Sequence, residues 1–280
     1  MSKQHRLREG DATAVDTKTA LTTAGSDTAP GPLMVPSGMK FITRIRGSAI
    51  QNMAAATGFS AFIRLEGAGM ANGPQSLAFA AGGNAVATGG NFVNYPVDIA
   101  VNFPVTEGNE VQVFGEMAGT DIGGTGFIVG IEFSDSPNPG ADEHKTITVE
   151  GDVASVDTRT ALTTQGSVTA PSLIVPTGFT KIDKLVVAAS AEGLANGKQT
   201  WFLRLGGNAV LGGEQLIPIS ASGTIAVQSG SDAAPQCMTA VVYENLEINV
   251  SGGDTISFFA EGAGDDTGTG HVVVTAVFAK

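Results

Sequence analysis

The chain has 280 residues with 15 basic and 27 acidic side chains, and this net charge of −12 argues against a nucleic-acid-binding surface. Hydrophobic residues make up 42% and charged residues only 15%, which predicts folded cores under a surface of small neutral side chains. No run reaches the roughly 18 apolar residues of a membrane helix. The polar start lacks a secretory signal, so export by that route is not expected. The lone Cys237 excludes an intrachain disulfide.

Short apolar segments with alternating polarity and many β-branched residues predict strands throughout the chain. In the first half these strands are expected at 20–23, 40–46, 60–66, 75–80, 97–103, 110–116 and 127–133. In the second half they are expected at 161–164, 181–188, 200–205, 215–220, 239–250, 255–261 and 271–278. Glycine-rich turns separate them, and no long stretch keeps helical spacing.

One segment of the sequence occurs twice. Residues 11–30 read DATAVDTKTALTTAGSDTAP and residues 152–171 read DVASVDTRTALTTQGSVTAP, with 14 of 20 positions identical at an offset of 141. The match continues at an offset of 140 and ends at offsets of 145 and 144. This repeat predicts two units, at 10–134 and 151–280. They are joined by a linker at 135–150 that begins with turn-forming residues, and residues 1–9 are expected to form an N-terminal arm.

Seven or eight strands in about 130 residues predict a β-sandwich in each unit. Immunoglobulin-like and jelly-roll sandwiches both fit this number of strands. The Cys–Trp–Cys pattern of antibody domains is missing, which disfavours only part of the first class.

Shared motifs at both ends of the units extend this prediction. Each unit has a Val-Pro-[Ser/Thr]-Gly turn before an Ile-containing strand, VPSGMKFITRI and VPTGFTKIDKL. Each unit also ends with a predicted strand, an acidic glycine-rich turn and a final β-branched strand. The two segments that contain these elements read GNEVQVFGEMAGTDIGGTGFIVGIEF and GDTISFFAEGAGDDTGTGHVVVTAVF. The chain thereby resembles the double jelly-roll major capsid proteins of icosahedral viruses of archaea or bacteria, although members of that family are usually longer.

The resemblance favours the jelly roll and implies an all-β fold of two tandem jelly-roll β-sandwiches related by internal duplication. It also implies that three chains form a pseudo-hexameric homotrimer that tiles a shell. Minor capsid or vertex proteins and an internal membrane would be further partners, without direct sequence-specific contact to nucleic acid.

The acidic turns contain the candidates for a metal site, Asp121, Asp265 and Asp266. Oxygen ligands and flexible glycines suit Ca²⁺. Neither turn matches an EF-hand or a nonapeptide repeat, so a solvent-exposed turn is favoured and no cofactor is predicted. Glu116 and Glu261 occupy equivalent strand ends nearby, where a role in turn geometry is favoured over glycosidase chemistry.

Arg64 and Arg204 occupy equivalent positions within apolar strands. The favoured interpretation is that each arginine reaches the sheet surface or pairs with an acid such as Glu66. A contact between chains is the alternative. No catalytic residue is predicted, because the sequence has neither a G-x-S-x-G elbow nor a phosphate-binding loop. The single tryptophan, Trp201, is expected in the core rather than in a sugar-binding platform.

Low charge, internal repetition and few catalytic groups favour a structural protein. The resemblance implies that it is a major capsid subunit, made in a host cytoplasm and located in the virion. The first alternative is a self-assembling cell-surface coat, such as a surface layer or a tube. A tandem carbohydrate-binding module is disfavoured by one Trp and two Tyr. The N-terminal arm is expected to reach into the shell, to clasp a neighbour or to be a disordered tail.

Overall fold

The computed structural model describes residues 2–27, 31–52, 58–83, 92–119, 125–140, 143–153, 157–192, 198–223, 238–264 and 269–280. Within these ranges the regular secondary structure is entirely β, with seventeen strands and no helix. All the strand ladders are antiparallel.

The first half forms two four-stranded sheets. Its strands are β1 (Lys3–Ala12), β2 (Thr19–Ala20), β3 (Phe41–Asn52), β4 (Gly58–Glu66), β5 (Gln75–Gly83), β6 (Phe92–Pro104), β7 (Gln112–Gly119) and β8 (Thr125–Ser134). The sheet orders are β1-β8-β3-β6 and β2-β7-β4-β5. The first strand therefore pairs with the last and the second with the seventh, which is the strand order of an eight-stranded jelly roll.

The second half has the same strand order. Its strands are β9 (His144–Val153), β10 (Thr160–Ala161), β11 (Lys181–Glu192), β12 (Lys198–Gly206), β13 (Gln215–Gly223), β14 (Met238–Tyr243), β15 (Ile248–Asn249), β16 (Ser257–Gly264) and β17 (Thr269–Ala279). The sheets are β9-β17-β11-β14 and β10-β16-β12-β13, and β15 adds to β11. The all-β, jelly-roll prediction is thus confirmed, and the immunoglobulin-like alternative is not.

Irregular backbone recurs at the sequence offsets. The register shift between Ile42 and Arg44 has its counterpart between Ile182 and Lys184, 140 residues later. Asp16 and Asp157 both have left-handed backbone with φ 51°. Positive φ also recurs at the glycine pairs 25/166, 38/178, 67/207, 73/213 and 108/253. Because such positions depend on local turn geometry, their recurrence is what an internal repeat predicts.

Two boundaries expected from the sequence need correction. Residues 3–12 form β1 rather than an N-terminal arm at 1–9, and they pair with β8 along their whole length. The pattern KQHRLREGDA hides this strand, because only Arg8 and Ala12 of it are buried. The segment expected to link the halves at 135–150 ends earlier, since β9 begins at His144.

The sheets of the described chain stack in four layers. Each half encloses an apolar core between its own two sheets, with Phe103 and Phe133 in the first and Trp201 and Phe258 in the second. In addition, β4 and β5 pack against the sheet β9-β17-β11-β14. Four residues of that sheet therefore join the apolar cluster of the first half: Val186, Ala188, Val273 and Val277. The sheets β1-β8-β3-β6 and β10-β16-β12-β13 are outermost.

Candidate assembly interface

The contact between the two jelly rolls, called here the inter-half interface, contains a buried ion pair. Arg64 on β4 donates from Nε to Oε2 of Glu116 on β7. The side chains are 8% and 0% exposed. The guanidinium carbon also lies 5.3 Å from the centroid of the Phe62 ring, a cation–π distance. Two charges removed from water need further hydrogen bonds, and a turn of the second half supplies them.

That turn spans residues 165–168. Gln165 and Val168 close it by mutual backbone hydrogen bonds of 2.9 Å. The Gln165 carbonyl accepts from Nη2 of Arg64 at 2.9 Å, and the Ser167 N–H donates to Oε1 of Glu116 at 2.5 Å. The ion pair of the first jelly roll is therefore completed by backbone groups of the second.

Glycine is required at position 166 of this turn. Gly166 has φ 51°, and its N–H donates to Oε1 of Glu150 at 2.6 Å. A Cβ atom there would lie 2.3 Å from Oε1 of Glu116 and 2.6 Å from Cζ of Phe62. A side chain at this position would meet both a left-handed backbone and a closed space.

Threonine hydroxyls satisfy the free backbone edge of β5. The Ser76 N–H donates to Oγ1 of Thr146 at 3.0 Å, and the Ser76 carbonyl accepts from Oγ1 of Thr148 at 3.0 Å. The Ala78 N–H donates to Oγ1 of Thr275 at 2.8 Å. Since β5 ends its sheet, these groups would otherwise be buried without partners.

A charged cluster borders the same interface. Nδ1 of His271 lies 2.6 Å from Oδ1 of Asp152, and its Nε2 lies 3.3 Å from Oε2 of Glu150. Burial alone would lower the pKa of His271, but the hydrogen bonds to Asp152 and Glu150 raise it to about 9. With this pKa, His271 carries a positive charge at neutral pH. The pKa of Asp16, in the same cluster, is raised by burial and by the nearby Glu150 and Glu116.

The second jelly roll has the same ion pair on its outer face. Arg204 on β12 donates from Nε to Oε2 of Glu261 at 2.5 Å and from Nη1 to Oε1 of Glu214 at 2.8 Å. Hydrogen bonds to Glu261 and Glu214 raise the pKa of Arg204. Its guanidinium carbon lies 5.2 Å from the ring centroid of Phe202. Here the side chains of Arg204 and Glu261 are 20% and 14% exposed, because no third jelly roll within the described chain covers them.

The opposite outer face belongs to the sheet β1-β8-β3-β6 and combines charge with apolar side chains. Arg44 makes a two-point contact with Asp98, at 2.5 and 2.8 Å. The hydrogen bond from Arg44 lowers the pKa of Asp98 despite its partial burial. Leu7 and Ile128 are exposed on the same face. This face is the structural counterpart of the buried sheet surface that β5 covers.

The structure places the predicted residues as follows. Arg64 pairs with an acid, but the acid is Glu116, while Glu66 binds Lys18 at 2.8 Å. Arg64 is also buried between the halves instead of reaching the sheet surface. The Ca²⁺ candidates lie outside the described residues: Asp121, Asp265 and Asp266.

The described residues lack two further features. No group of three or more His, Cys, Asp or Glu side chains is arranged there to hold a metal ion. The same residues contain no helical segment with the length and hydropathy that crossing a bilayer requires.

Neither the 165–168 turn nor the His271 cluster was predicted from the sequence. A signal for the turn was present, because Gly25 and Glu9 precede Gly166 and Glu150 by the same 141 residues. No such signal exists for His271, whose partners come from another strand.

No protein family matches the sequence, and no curated protein matches it. Solved structures are similar in fold only. An archaeal virus protein described by a triple jelly-roll fold and turret assembly has a TM-score of 0.25 at 14% identity, with 98% of this chain covering 56% of that chain. This chain thus spans little more than half of that protein.

Two further similarities cover most of both chains. N-glycanase F (PNGase F) has a TM-score of 0.40 at 13% identity, with 99% of this chain and 95% of that chain covered. A broad bean stain virus structure has a TM-score of 0.31 at 8% identity, with coverages of 99% and 88%. The assignment of the jelly roll rests on the strand order described above and not on these similarities.

Proposed function

We propose that this chain is a structural virion protein, a major capsid subunit that assembles as pseudo-hexameric homotrimers into an icosahedral shell. One observation carries the proposal. The two surfaces that pack together inside the chain each have a structural counterpart on its outside that no described residue covers. A chain that buries one such pair and exposes the other is suited to join further copies of itself.

The symmetry of such an assembly follows from its contacts. A head-to-tail contact between unlike faces generates a ring if the rotation closes. Three chains with two lobes each would make a six-lobed ring. Because the two halves differ in sequence, the ring would have three-fold symmetry, and each half would meet a different neighbour.

The proposed location is the virion, with the host cytoplasm as the place of synthesis. Minor capsid or vertex proteins would occupy positions that a six-lobed tile does not fit, and an internal membrane would be a further partner. These partners follow from the resemblance of the motifs and strand pattern to double jelly-roll capsid proteins.

The alternative function, a surface layer or tube, differs from a capsid in whether the assembly closes on itself. Unlike faces whose rotation does not close give open filaments. The same head-to-tail contacts therefore serve both functions, and the shape of the particle separates them.

The oligomeric state of the purified full-length chain tests the proposal. Light scattering after size exclusion should give roughly 85 kDa, three times the 28.3 kDa of one chain, and negative-stain images should show six-lobed tiles or closed shells. Sheets or tubes would support the alternative. A chain that stays monomeric at high concentration across a range of salt would refute both.

A further inference from the structure

We infer that copies of this chain dock head to tail through the turn at residues 24–27. This turn would bind Phe202, Arg204 and Glu261 of the next copy, as the 165–168 turn binds Phe62, Arg64 and Glu116 within the chain. The inference rests on the proposed function and specifies the contact through which that assembly forms.

The docking turn already has the required conformation. Ala24 and Asp27 close it by mutual backbone hydrogen bonds of 2.9 and 3.2 Å, as Gln165 and Val168 do in the other half. Gly25 has φ 62°, and its N–H donates to Oε1 of Glu9 at 2.8 Å. A Cβ added at Gly25 would meet no atom within 4 Å. The space beside Gly25 is therefore open, whereas the space beside Gly166 is filled by Glu116 and Phe62.

The receiving site is also in place. Arg204 is held by Glu261 and Glu214, and it lies over Phe202 as Arg64 lies over Phe62. A carbonyl of the incoming turn would accept from the Arg204 guanidinium, and a backbone N–H would donate to Glu261. Both partners would dock with little rearrangement, which lowers the entropic cost of association.

Side chains beside the turn have changed together on the two faces. Within the chain, Oγ1 of Thr148 donates to the Ser76 carbonyl at 3.0 Å. At the corresponding outer positions stand Leu7 and Leu216, which are 38% and 58% exposed. The acceptor at Ser76 is a backbone carbonyl, which Leu216 also has, so the outer contact would lose the threonine hydroxyl and gain apolar burial between two leucine side chains. The two exposed leucines would cover each other in the docked assembly.

A second pair of positions has changed in charge. Pro74 and Thr146 line one groove of about 380 Å³ at the inter-half interface. The corresponding outer residues are Glu214 and His5, both accessible to solvent. A carboxylate and an imidazole would therefore meet where the chain itself brings together a proline and a threonine.

The remaining outer surface is more polar than its buried counterpart. Arg46, with a side chain 51% exposed, stands where Val186 packs in the first apolar cluster. Glu132, buried beneath Lys3, stands at the position of Val277. A polar face lets the chain fold as a soluble unit before it docks. It also makes association dependent on salt, because exposed charges are screened.

Two single variants test this contact, each altering one face. Leu7→Asp places a charge on the sheet β1-β8-β3-β6, and Leu216→Asp places one on the sheet β10-β16-β12-β13. Leu211→Asp is the matched control, because Leu211 is 53% exposed in the connection between β12 and β13. Circular dichroism and thermal unfolding would establish that all three variants fold.

Analytical ultracentrifugation of the full-length chains gives the result. We expect each test variant alone to lose roughly tenfold or more in association constant, since one hot-spot contact is typically worth that much. We expect the control to stay within about threefold of the unchanged chain. An equimolar mixture of the two test variants should form a dimer and nothing larger, because each chain keeps the one intact face that the other needs.

The outcomes separate this inference from the proposed function. If the unchanged chain assembles and the test variants assemble as the control does, the shell stands and the head-to-tail contact is wrong. If a test variant alone still dimerises through its intact face, the contact joins like faces and the inference is wrong. If both variants and their mixture stay monomeric, the two intact faces do not bind each other and the inference is also wrong. If the unchanged chain never associates, the proposed function fails and this inference fails with it.

Discussion

The buried pair of Arg64 and Glu116 offers the sharpest test of how the two jelly rolls are joined. Glu116→Ala removes a carboxylate that accepts from the Arg64 guanidinium and from the Ser167 N–H. The guanidinium stays behind, 8% exposed and without its counter-charge. Two charge-assisted hydrogen bonds at about 1.5–3 kcal/mol each suggest a loss of about 3–6 kcal/mol. Breaking a buried ion pair typically costs about 3–5 kcal/mol, which agrees.

Urea unfolding followed by circular dichroism measures this loss. The matched control is Glu261→Ala, which removes the equivalent acid from the less buried pair with Arg204. It should cost much less, because Arg204 is 20% exposed and keeps its hydrogen bond to Glu214 at 2.8 Å. The measurement belongs at low protein concentration, where chains do not cover each other. Exchanging both buried partners, as Arg64→Met with Glu116→Leu, should recover much of the stability. Equal losses for Glu116→Ala and Glu261→Ala would refute the view that burial between the two halves makes the Arg64–Glu116 pair the more costly one to break.

Three other predictions concern single residues. The pKa of His271 is raised to about 9 from an ordinary 6.5, so its contribution is complete below pH 6.5 and is lost as the pH rises through 9. This loss is on the order of 3 kcal/mol, and His271→Gln should remove that slope from thermal unfolding measured against pH. Gly166→Ala should lower the unfolding midpoint more than Gly25→Ala. Both glycines have left-handed backbone, but only at Gly166 do neighbouring atoms fill the space that a Cβ needs. Equal shifts of the midpoint would contradict this. Trp201→Ala should cost about 3–5 kcal/mol in chemical denaturation, and a loss below about 1 kcal/mol would mean that Trp201 is not a core residue.

Local sequence patterns predicted most strands because one face of each strand is buried. Residues 127–133 were expected as a strand, and within β8 the alternate residues Phe127, Val129, Ile131 and Phe133 point into the core. The alternation of polarity thus recorded the two faces of the sheet. The repeat of residues 11–30 likewise indicated two units of one kind, and each half has the jelly-roll order.

The same reasoning missed β1 because nothing in its sequence alternates. Its two buried residues are Arg8 and Ala12, and the rest face solvent or are half-buried. The strand exists because β8 supplies ten pairing partners more than a hundred residues away. Backbone hydrogen bonds are the same for every sequence, so a strand held mainly by them leaves little trace in side-chain polarity.

By itself, the sequence determined that the chain is β-structured and repetitive, and that an arginine and a glutamate recur at matching strand positions. It did not determine which of these pairs would be buried. Arg64 and Arg204 each hold a glutamate in the same way, yet Arg64 is the more deeply buried, because the second jelly roll packs on it and no described residue packs on Arg204 in the same way. Burial depends on which sheet lies opposite, and that is set by contacts between residues far apart in the chain.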